Sequence, residues 1–567
     1  MNIHRIHRFA ADSACAFAAL AFSSLLFCSC DDFLDESPKS AISHEQAFRT
    51  TTDLLNNAVL PVYNHIGGNQ DSQGLQGTGR GVFDFNSLTT DEAIMPTRGG
   101  DWYDGGFWQT LFTHSWTSGT ASMKDMWEYL YQQVIRCDEG LGHIDDYVRE
   151  NGAQPLTTTY AAELRAIRAM YYFYLMDLFG RVPIVDKGTV LPDDASATDL
   201  QQESRSSLYR YIVSELQTSL ADLPADRSNQ PGEYYGRMTR PVAFFLLAKL
   251  ALNFEVYADD DWTDQQRPDG SVVGTTDCAK AFSPLSPFAY CRACCDSIEA
   301  YGYELEADFS QNFEPTNEDS QENIFTIPMN PTLYSNWYCY FFRSRHYSHG
   351  AVLGGASENG ASATQEMLDA FGYPDADGQP TDKLDPRFAK TFYAGTVTEN
   401  GTSVYEDDGT TPLVYYPRQV RLNLTGSTYE KTAGARLHKY ANDPNANADG
   451  RACNNDIVLF RYADVLLMKA EALVRCGLSG DEQLNMVRTR VGLPSAEATL
   501  ENILHERMVE LAWEGWRRND MIRFGIFTQP YTDRPQLRDE QSGFTTVFPI
   551  PADIMVMHPT WRQNPGY

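Results

Sequence analysis

Between Ala161 and Gly180 apolar side chains return at every third or fourth position, with Leu164, Ile167, Met170, Phe173 and Tyr174 marking the repeat. Gly180, followed by Arg181, Val182 and Pro183, supplies the stop signal. The stretch predicts a helix buried in the core. The same period runs from Ser43 to Tyr63, from Thr120 to Val148, from Ser204 to Leu223, from Pro241 to Tyr257 and from Pro287 to Tyr301. Ser286 is placed to cap the last of these, and Pro287 suits its first position. Near the C-terminus the pattern predicts helices over 461–477, 481–493 and 500–525.

Helices in such numbers predict stacked antiparallel hairpins, which bury a continuous core and leave curved faces on which loops can hang. Ala463, Leu467, Ala470 and Ala472, with a partner helix after Gly477 and Leu478, resemble a tetratricopeptide unit without its full consensus. Two zones break the pattern. Residues 64–118 hold a glycine-rich passage and then TTDEAIMPTRGGDWYDGGFWQTLFTHSW, and residues 303–456 carry Pro, Gly, Asn and Asp punctuation around short runs such as NIFTIP and TPLVYY. Long irregular segments of high aromatic content are where binding is sought.

Forty-five Lys and Arg against 76 Asp and Glu give a net charge of −31. Such a field repels phosphate backbones, so no nucleic-acid partner is expected. The start of the chain reads as an export signal: Arg5 and Arg8 precede an apolar run from Ser13 to Phe27, too short to span a bilayer. Cys30, with Ser29 before it and Phe27 three positions before it, approximates a bacterial lipoprotein cleavage box. Cys28 would set bulky Phe27 beside the cut. Lipidation at Cys30 would bury acyl chains in a membrane and hold the protein there. The other cysteines are scattered, and CRACC at 291–295 has the spacing of small hydrophobes on one helix. No metal and no cofactor are expected.

Enzyme motifs are incomplete. GTGRG at 77–81 lacks the Lys-Ser/Thr of a phosphate loop, and in GGASENG Asn359 stands where a nucleophile elbow needs glycine. His346 and His349 have no zincin glutamate beside them and read as packing or surface histidines. In ERMVELAWEGWRRND, Glu506, Glu510, Glu514, Arg507, Arg517 and Arg518 are placed along one helix, the interleaving of a structural ion-pair network.

Four passages carry a family resemblance: SCDDFLDESP (29–38), ELRAIRAMYYFYLMDLFGRVPIV (163–185), RYADVLLMKAEALVRCG with LNMVRTRVGLP (461–494), and ERMVELAWEGWRRNDMIRFG with the closing FPIP and QNPGY. In order and spacing they resemble the SusD/RagB family over essentially the whole mature chain. The resemblance implies a mainly α fold, a tetratricopeptide-like helix-hairpin superhelix with a loop-rich region carrying short β segments. It implies a signal peptide (1–29), a lipidated tether (30–40), an N-terminal helical region (41–230) and a C-terminal region (231–567), packed as one compact unit. The implied function is a non-enzymatic outer-membrane lipoprotein facing the exterior. It would bind oligosaccharide and deliver it to a SusC-like TonB-dependent transporter. A peptide-binding member of the same family and a surface glycoside hydrolase are the alternatives.

In glycan-binding members an early loop bearing Arg and Trp contributes to the sugar site. PTRGGDWYDGGFW (96–108) resembles it, which assigns that role to Arg98, Trp102 and Trp108, with Asp101 and Tyr103 joined by adjacency. The physical case stands beside this: sugar rings stack their C–H faces on indole or phenol, while Arg and Asp hydrogen-bond hydroxyls. Trp102, Trp108, Trp116 and Trp127 are four of nine tryptophans within 26 positions, and each ring either meets ligand or fills core space under the loop. Trp337, Tyr338 and Tyr340 form a second aromatic group, of which alternation lets only part face a ligand.

Overall fold

A computed structural model describes residues 47–67, 73–76, 80–185, 200–332, 343–355, 357–379, 381–446 and 452–567. The signal segment, Cys30 and the group Trp337, Tyr338 and Tyr340 lie outside the described residues. Residues 55–567 form one compact unit. Of the preceding unit the described part includes one helical turn, Thr51–Leu54.

The longer helices, labelled in chain order, are α1 (Ala121–Asn151), α2 (Pro155–Phe179), α3 (Arg205–Ser219), α4 (Arg240–Leu252), α5 (Pro287–Glu299), α6 (Tyr462–Arg475), α7 (Asp481–Arg490), α8 (Leu500–Glu510) and α9 (Arg517–Arg523). Three residues connect α1 to α2, so the chain turns straight back and the two helices pack along their length. Each helix then packs on its neighbour: α2 on α3, α4 on α5, α5 on α6, and α6 on α7. This is the expected stack of hairpins, mainly α. Its one long interruption falls between α5 and α6, which lie side by side although the loop-rich region separates them in sequence.

The core helix α2 shows why the stack holds. Pro155 opens it, Gly180 closes it at φ 66°, and nearly every side chain from Tyr160 to Phe179 is buried. Its buried charged groups are paired: Glu163 accepts from Arg237 at 2.6 Å and from Tyr63 at 2.6 Å, Arg168 pairs with Asp138 and Glu215, and Asp177 pairs with Arg518 at 2.7 Å. A buried charge left unmatched would cost several kcal/mol, on the order of 3–5. Gly140 of α1 lets that helix come close, since a Cβ there would sit 2.8 Å from Leu164 Cδ1 and 3.0 Å from the Ala58 carbonyl.

Two expectations need correction. The 43–63 segment has a π-helical turn, Leu55–Val59, before a last helical turn, Leu60–Tyr63. The predicted single helix over 500–525 is two helices, broken between Glu510 and Arg517 where Trp513 (φ 57°) and Gly515 (φ 78°) take left-handed conformations. The break has a cause: Trp513 donates its backbone N–H to Glu92 Oε2 at 3.1 Å and its indole N–H to the Glu92 carbonyl at 3.0 Å. The periodicity continues through the turn because Leu511, Ala512 and Trp513 are buried there as a loop would not ordinarily be.

Among the described residues, five two-stranded antiparallel ladders fasten the loop-rich region. The longest pairs β1 (Asn323–Ile327) with β2 (Ile457–Arg461), Ile457 opposite Ile327, immediately before α6. The others are two residues to a strand. Among the described residues no helix is long and apolar enough to cross a membrane.

Candidate functional site

The loop expected to carry the site starts from a short ladder, Ala93–Ile94 against Ser362–Ala363. Thr97 then exchanges backbone hydrogen bonds with 422–424, accepting from Leu424 N at 2.9 Å and donating to Leu422 O at 3.0 Å. Arg98 turns inward. It is 3% exposed, and its guanidinium donates to the carbonyls of Glu430 (2.8 Å) and Ala433 (2.9 Å) and to Ser362 Oγ (3.0 Å). Burial, with Arg436 nearby, pushes its pKa well below the usual guanidinium value. In this arrangement Arg98 braces the loop by tying it to two distant segments, and it does not stand at the surface.

A tight turn follows, in which Arg98 and Asp101 exchange backbone hydrogen bonds across Gly99 and Gly100. Trp102 (φ 62°), Asp104 (φ 44°), Gly105 (φ 66°) and Gly106 (φ 89°) then hold left-handed conformations. For Trp and Asp this costs on the order of 1–3 kcal/mol each, a strain that persists only where surroundings enforce it. The enforcing contacts are visible. The indole N–H of Trp102 donates to the Glu358 carbonyl at 2.8 Å, and its ring lies against Gly360, where a Cβ would come within 2.6 Å of Cε2. Asp104 Oδ2 accepts from the indole N–H of Trp108 at 2.8 Å and from Arg80 at 3.4 Å.

Trp108 lies beneath. It is 3% exposed, meets Trp102 edge-on at 5.9 Å, and has the Arg343 guanidinium 5.4 Å from its ring. Trp116 and Trp127 are likewise buried, so three of the four clustered tryptophans fill core space. What reaches the surface is the edge of half-buried Trp102, Tyr103 at 57% exposure, and the exposed carboxylate of Asp101.

Around these the fold brings residues that sequence reasoning missed. The Tyr347 hydroxyl donates to Asp101 Oδ2 at 2.5 Å. Ser348 Oγ donates to Asp407 Oδ1 at 3.0 Å, and Lys431 Nζ to Asp407 Oδ2 at 2.8 Å. Burial and then Asp101 push the Tyr347 hydroxyl up, so it stays a neutral donor. The hydrogen bond that Lys431 donates holds Asp407 below its usual value, and the same bond holds Lys431 above its own. The available signal was RSRHYSHG, weighed for its histidines alone. Those histidines are buried, His349 between Glu399 (2.7 Å) and the Tyr415 hydroxyl (3.0 Å), while Tyr347 and Ser348 between them are partly exposed. Cys291, Cys294 and Cys295 are buried on α5 as small hydrophobes, and burial pushes the Cys294 and Cys295 thiols up.

The result is a braced platform: two adjacent aromatic residues, Trp102 and Tyr103, edged by a carboxylate, a phenol, a hydroxyl and an ammonium group, on a strained loop. Such a surface can stack on an apolar ring face and hydrogen-bond hydroxyls around it.

Comparison with known proteins bears on most of the chain. The sequence model described as "SusD family" matches residues 300–567, and one described as "Starch-binding associating with outer membrane" matches residues 32–252. Starch-binding protein SusD of Bacteroides thetaiotaomicron is 24% identical over 87% of this chain and 87% of its own. A SusD-like protein of Bacteroides ovatus is 23% identical over 89% of this chain and 81% of its own. Among solved structures, a SusD-like carbohydrate-binding protein of Bacteroides fragilis superposes with TM-score 0.68 at 20% identity, covering 91% of this chain and 99% of that one. Surface glycan-binding protein A of Bacteroides thetaiotaomicron in complex with laminarihexaose gives 0.64 at 20% identity, over 91% and 100%.

Proposed function

This chain belongs to the SusD/RagB family, and from that premise we propose that it captures oligosaccharide on the 101–108 platform and passes it on without cleaving it. The observation that carries the reading is the strained, multiply pinned loop that presents Trp102 and Tyr103 beside Asp101 and Tyr347. Preorganised aromatic residues bind with little ordering cost. The names of relatives support the ligand class: one binds starch, and another was solved with laminarihexaose. The carboxylates around the platform are engaged in binding geometry. Asp101 accepts from Tyr347, Asp104 from Trp108, and Asp407 from Lys431 and Ser348. A general acid needs its pKa raised toward neutrality, whereas Asp407 is held low.

The rest of the reading concerns location and partner. Lipidation at Cys30 anchors the protein in the outer membrane facing outward, and a SusC-like TonB-dependent β-barrel receives the sugar. Loss of membrane association in Cys30→Ser tests the anchor; co-purification of a β-barrel with the anchored chain tests the partner. The platform is tested by calorimetry with maltoheptaose and laminarihexaose. Trp102→Ala and Tyr103→Ala are expected to weaken binding by about 1–3 kcal/mol each, by analogy with bases stacked on aromatic side chains. Unchanged affinity in both variants would remove the platform from the function.

A further inference from the structure

A cleft of about 450 Å3 opens between residues 259–267 and the C-terminal stretch 522–546, and it shares no lining residue with the platform. Its apolar floor is Trp262 and Phe527, both buried. The indole is held from behind: the Arg205 guanidinium lies 4.6 Å and that of Arg181 5.3 Å from its ring, and a Cβ on Gly180 would come within 3.0 Å of Cη2. Its Nε1–H is buried and has no acceptor among the described residues. Buried donors ordinarily find partners, so this N–H, with almost no accessible surface of its own, leaves the indole side of the cleft with a polar group unmatched among the described residues.

The rim is a chain of amides. Gln265 donates to the Gln541 carbonyl at 3.1 Å, Gln541 Nε2 to Gln536 Oε1 at 3.2 Å, and Gln536 Nε2 to the Thr528 carbonyl at 2.8 Å. One N–H of each is thereby fixed in direction, and a second remains on each. Gln265 holds this place at φ 60°, a left-handed conformation that glutamine seldom adopts. The lining carries one carboxylate, Asp259, and one cation, Arg267, which act on each other; Asp259 also faces Arg205 at 3.5 Å, and the Arg267 guanidinium donates to the carbonyls of Ile522 (3.0 Å) and Arg523 (3.1 Å). Oriented amides, an apolar floor and no net charge match an uncharged polyhydroxylated ligand. They match a phosphorylated or carboxylated one poorly in a chain of net charge −31.

We infer that the cleft between Trp262, Gln536 and Gln541 is a second saccharide-binding site, taking the end of an uncharged oligosaccharide. It goes beyond the platform and stands or falls separately from it. The test is saturation-transfer NMR of the full-length chain with maltoheptaose, laminarihexaose, xylohexaose and mannohexaose. With Trp102→Ala and Tyr103→Ala both present, transfer from at least one of the four is expected to persist. Adding Gln536→Ala with Gln541→Ala, both on the cleft rim, should then weaken binding at least about tenfold. Trp262→Phe, which keeps a ring but shortens the wall of the cleft, should weaken it by a smaller factor than the glutamine pair. Circular-dichroism melting confirms that each variant is folded. No transfer from any of the four sugars to the platform variant overturns the site, as does residual transfer that the glutamine pair and Trp262→Phe leave unchanged. Transfer that survives loss of the platform rings at full strength and is lost with the glutamines would uphold the cleft and remove the platform.

Discussion

Arginine is spent differently in two regions of this molecule. Around α6 to α9 buried guanidinium groups meet buried carboxylates. Arg461 contacts Glu322, Glu510 and Glu514 at 2.6–2.7 Å, Arg507 contacts Asp464 and Asp520 at 2.7–2.8 Å, and Arg523 contacts Glu471 and Asp520 at 2.8 Å. Under the platform, buried Arg98 and Arg436 meet backbone carbonyls and a serine hydroxyl, while the carboxylates Asp101, Asp104 and Asp407 stand at the surface. The first region turns its charged side chains on one another inside the fold. The second uses cations to hold loops together by their backbones and leaves side-chain acceptors outside. A scaffold and a recognition surface thus differ in where the charge-bearing atoms are spent.

If that division is right, the largest effects on stability come from the closed lattice and from rings under the platform. Arg461→Met would leave Glu322, Glu510 and Glu514 short of a cation and is expected to lower stability by about 3–5 kcal/mol. Trp108→Ala, at a 3% exposed ring, is expected to cost about 3–5 kcal/mol through the cavity it leaves. Urea denaturation followed by far-ultraviolet circular dichroism measures both. A folded, wild-type-stable Trp108→Ala protein that had lost sugar affinity would return that ring to the binding surface and blur the comparison.

The next effect lies at the seam between the regions. Glu92 precedes the strand from which the platform loop starts, and it accepts from Trp513 in the break between α8 and α9. Burial raises its pKa from 4.5 to about 7. The folded state therefore holds this proton more tightly than the unfolded state, so its contribution is complete below pH 4.5 and is lost as pH rises toward 7. The shift corresponds to about 3 kcal/mol. In the lattice the sign is opposite. Burial alone would raise Asp464 and Glu471, but their arginine and lysine partners outweigh it and hold them low, so their contribution is lost as pH falls. Glu92→Gln should become progressively more stable than the parent between pH 4.5 and 7. Parallel stability curves over that range would show that the carboxyl is not neutral in the fold.

The lattice was legible in the sequence and the platform only in part, for a physical reason. Glu506, Glu510 and Arg507 fall at helical spacing on α8, so their interleaving announces a network before any partner is known. Even there the break at Trp513 was hidden, because it depends on Glu92 from 421 positions away. In the loop, RGGDWYDGGFW drew attention to its rings, but which ring faces outward is set by Asp104, Glu358 and Gly360, two of them on another segment. Tyr347, Ser348, Asp407 and Lys431 reach the site through contacts between loops that no spacing encodes. The resemblance assigned Arg98 to the sugar site, whereas its partners Glu430, Ala433 and Ser362 hold it as a brace beneath the loop.

A smaller effect sharpens the platform side. Tyr347→Phe removes the hydroxyl that donates to Asp101 while keeping the ring. Since Asp101 is exposed and water can replace the lost donor, stability should fall by no more than about 1 kcal/mol. Sugar affinity should fall by a comparable amount if the pair orients the ligand. Calorimetry beside a urea titration separates the two; a loss of stability alone would make Tyr347 another brace like Arg98.

The smallest effect is expected at Lys431, and it tests whether the rim obeys the ordinary rule for exposed charges. Its bridge to Asp407 joins side chains that are 51% and 47% exposed, so solvent screens the attraction and the entropy of the long lysine side chain opposes it. Such pairs contribute about 0–1 kcal/mol. Lys431→Ala should therefore leave the denaturation midpoint almost unchanged and raise the net negative charge beside Asp101, Asp104 and Asp407. A neutral oligosaccharide has no charge for that field to act on, so its affinity should move by less than about 1 kcal/mol at any salt concentration. A uronate oligosaccharide should bind the parent more weakly than its neutral counterpart at low salt, and Lys431→Ala more weakly still, the difference closing as the Debye length shrinks toward about 3 Å at 1 M salt. Neutral-ligand affinity that collapses in Lys431→Ala would mean that the ammonium group contacts the sugar directly. The rim would then belong with the stacking rings as part of the recognition surface, and the line between brace and site would have to be drawn outside Asp407.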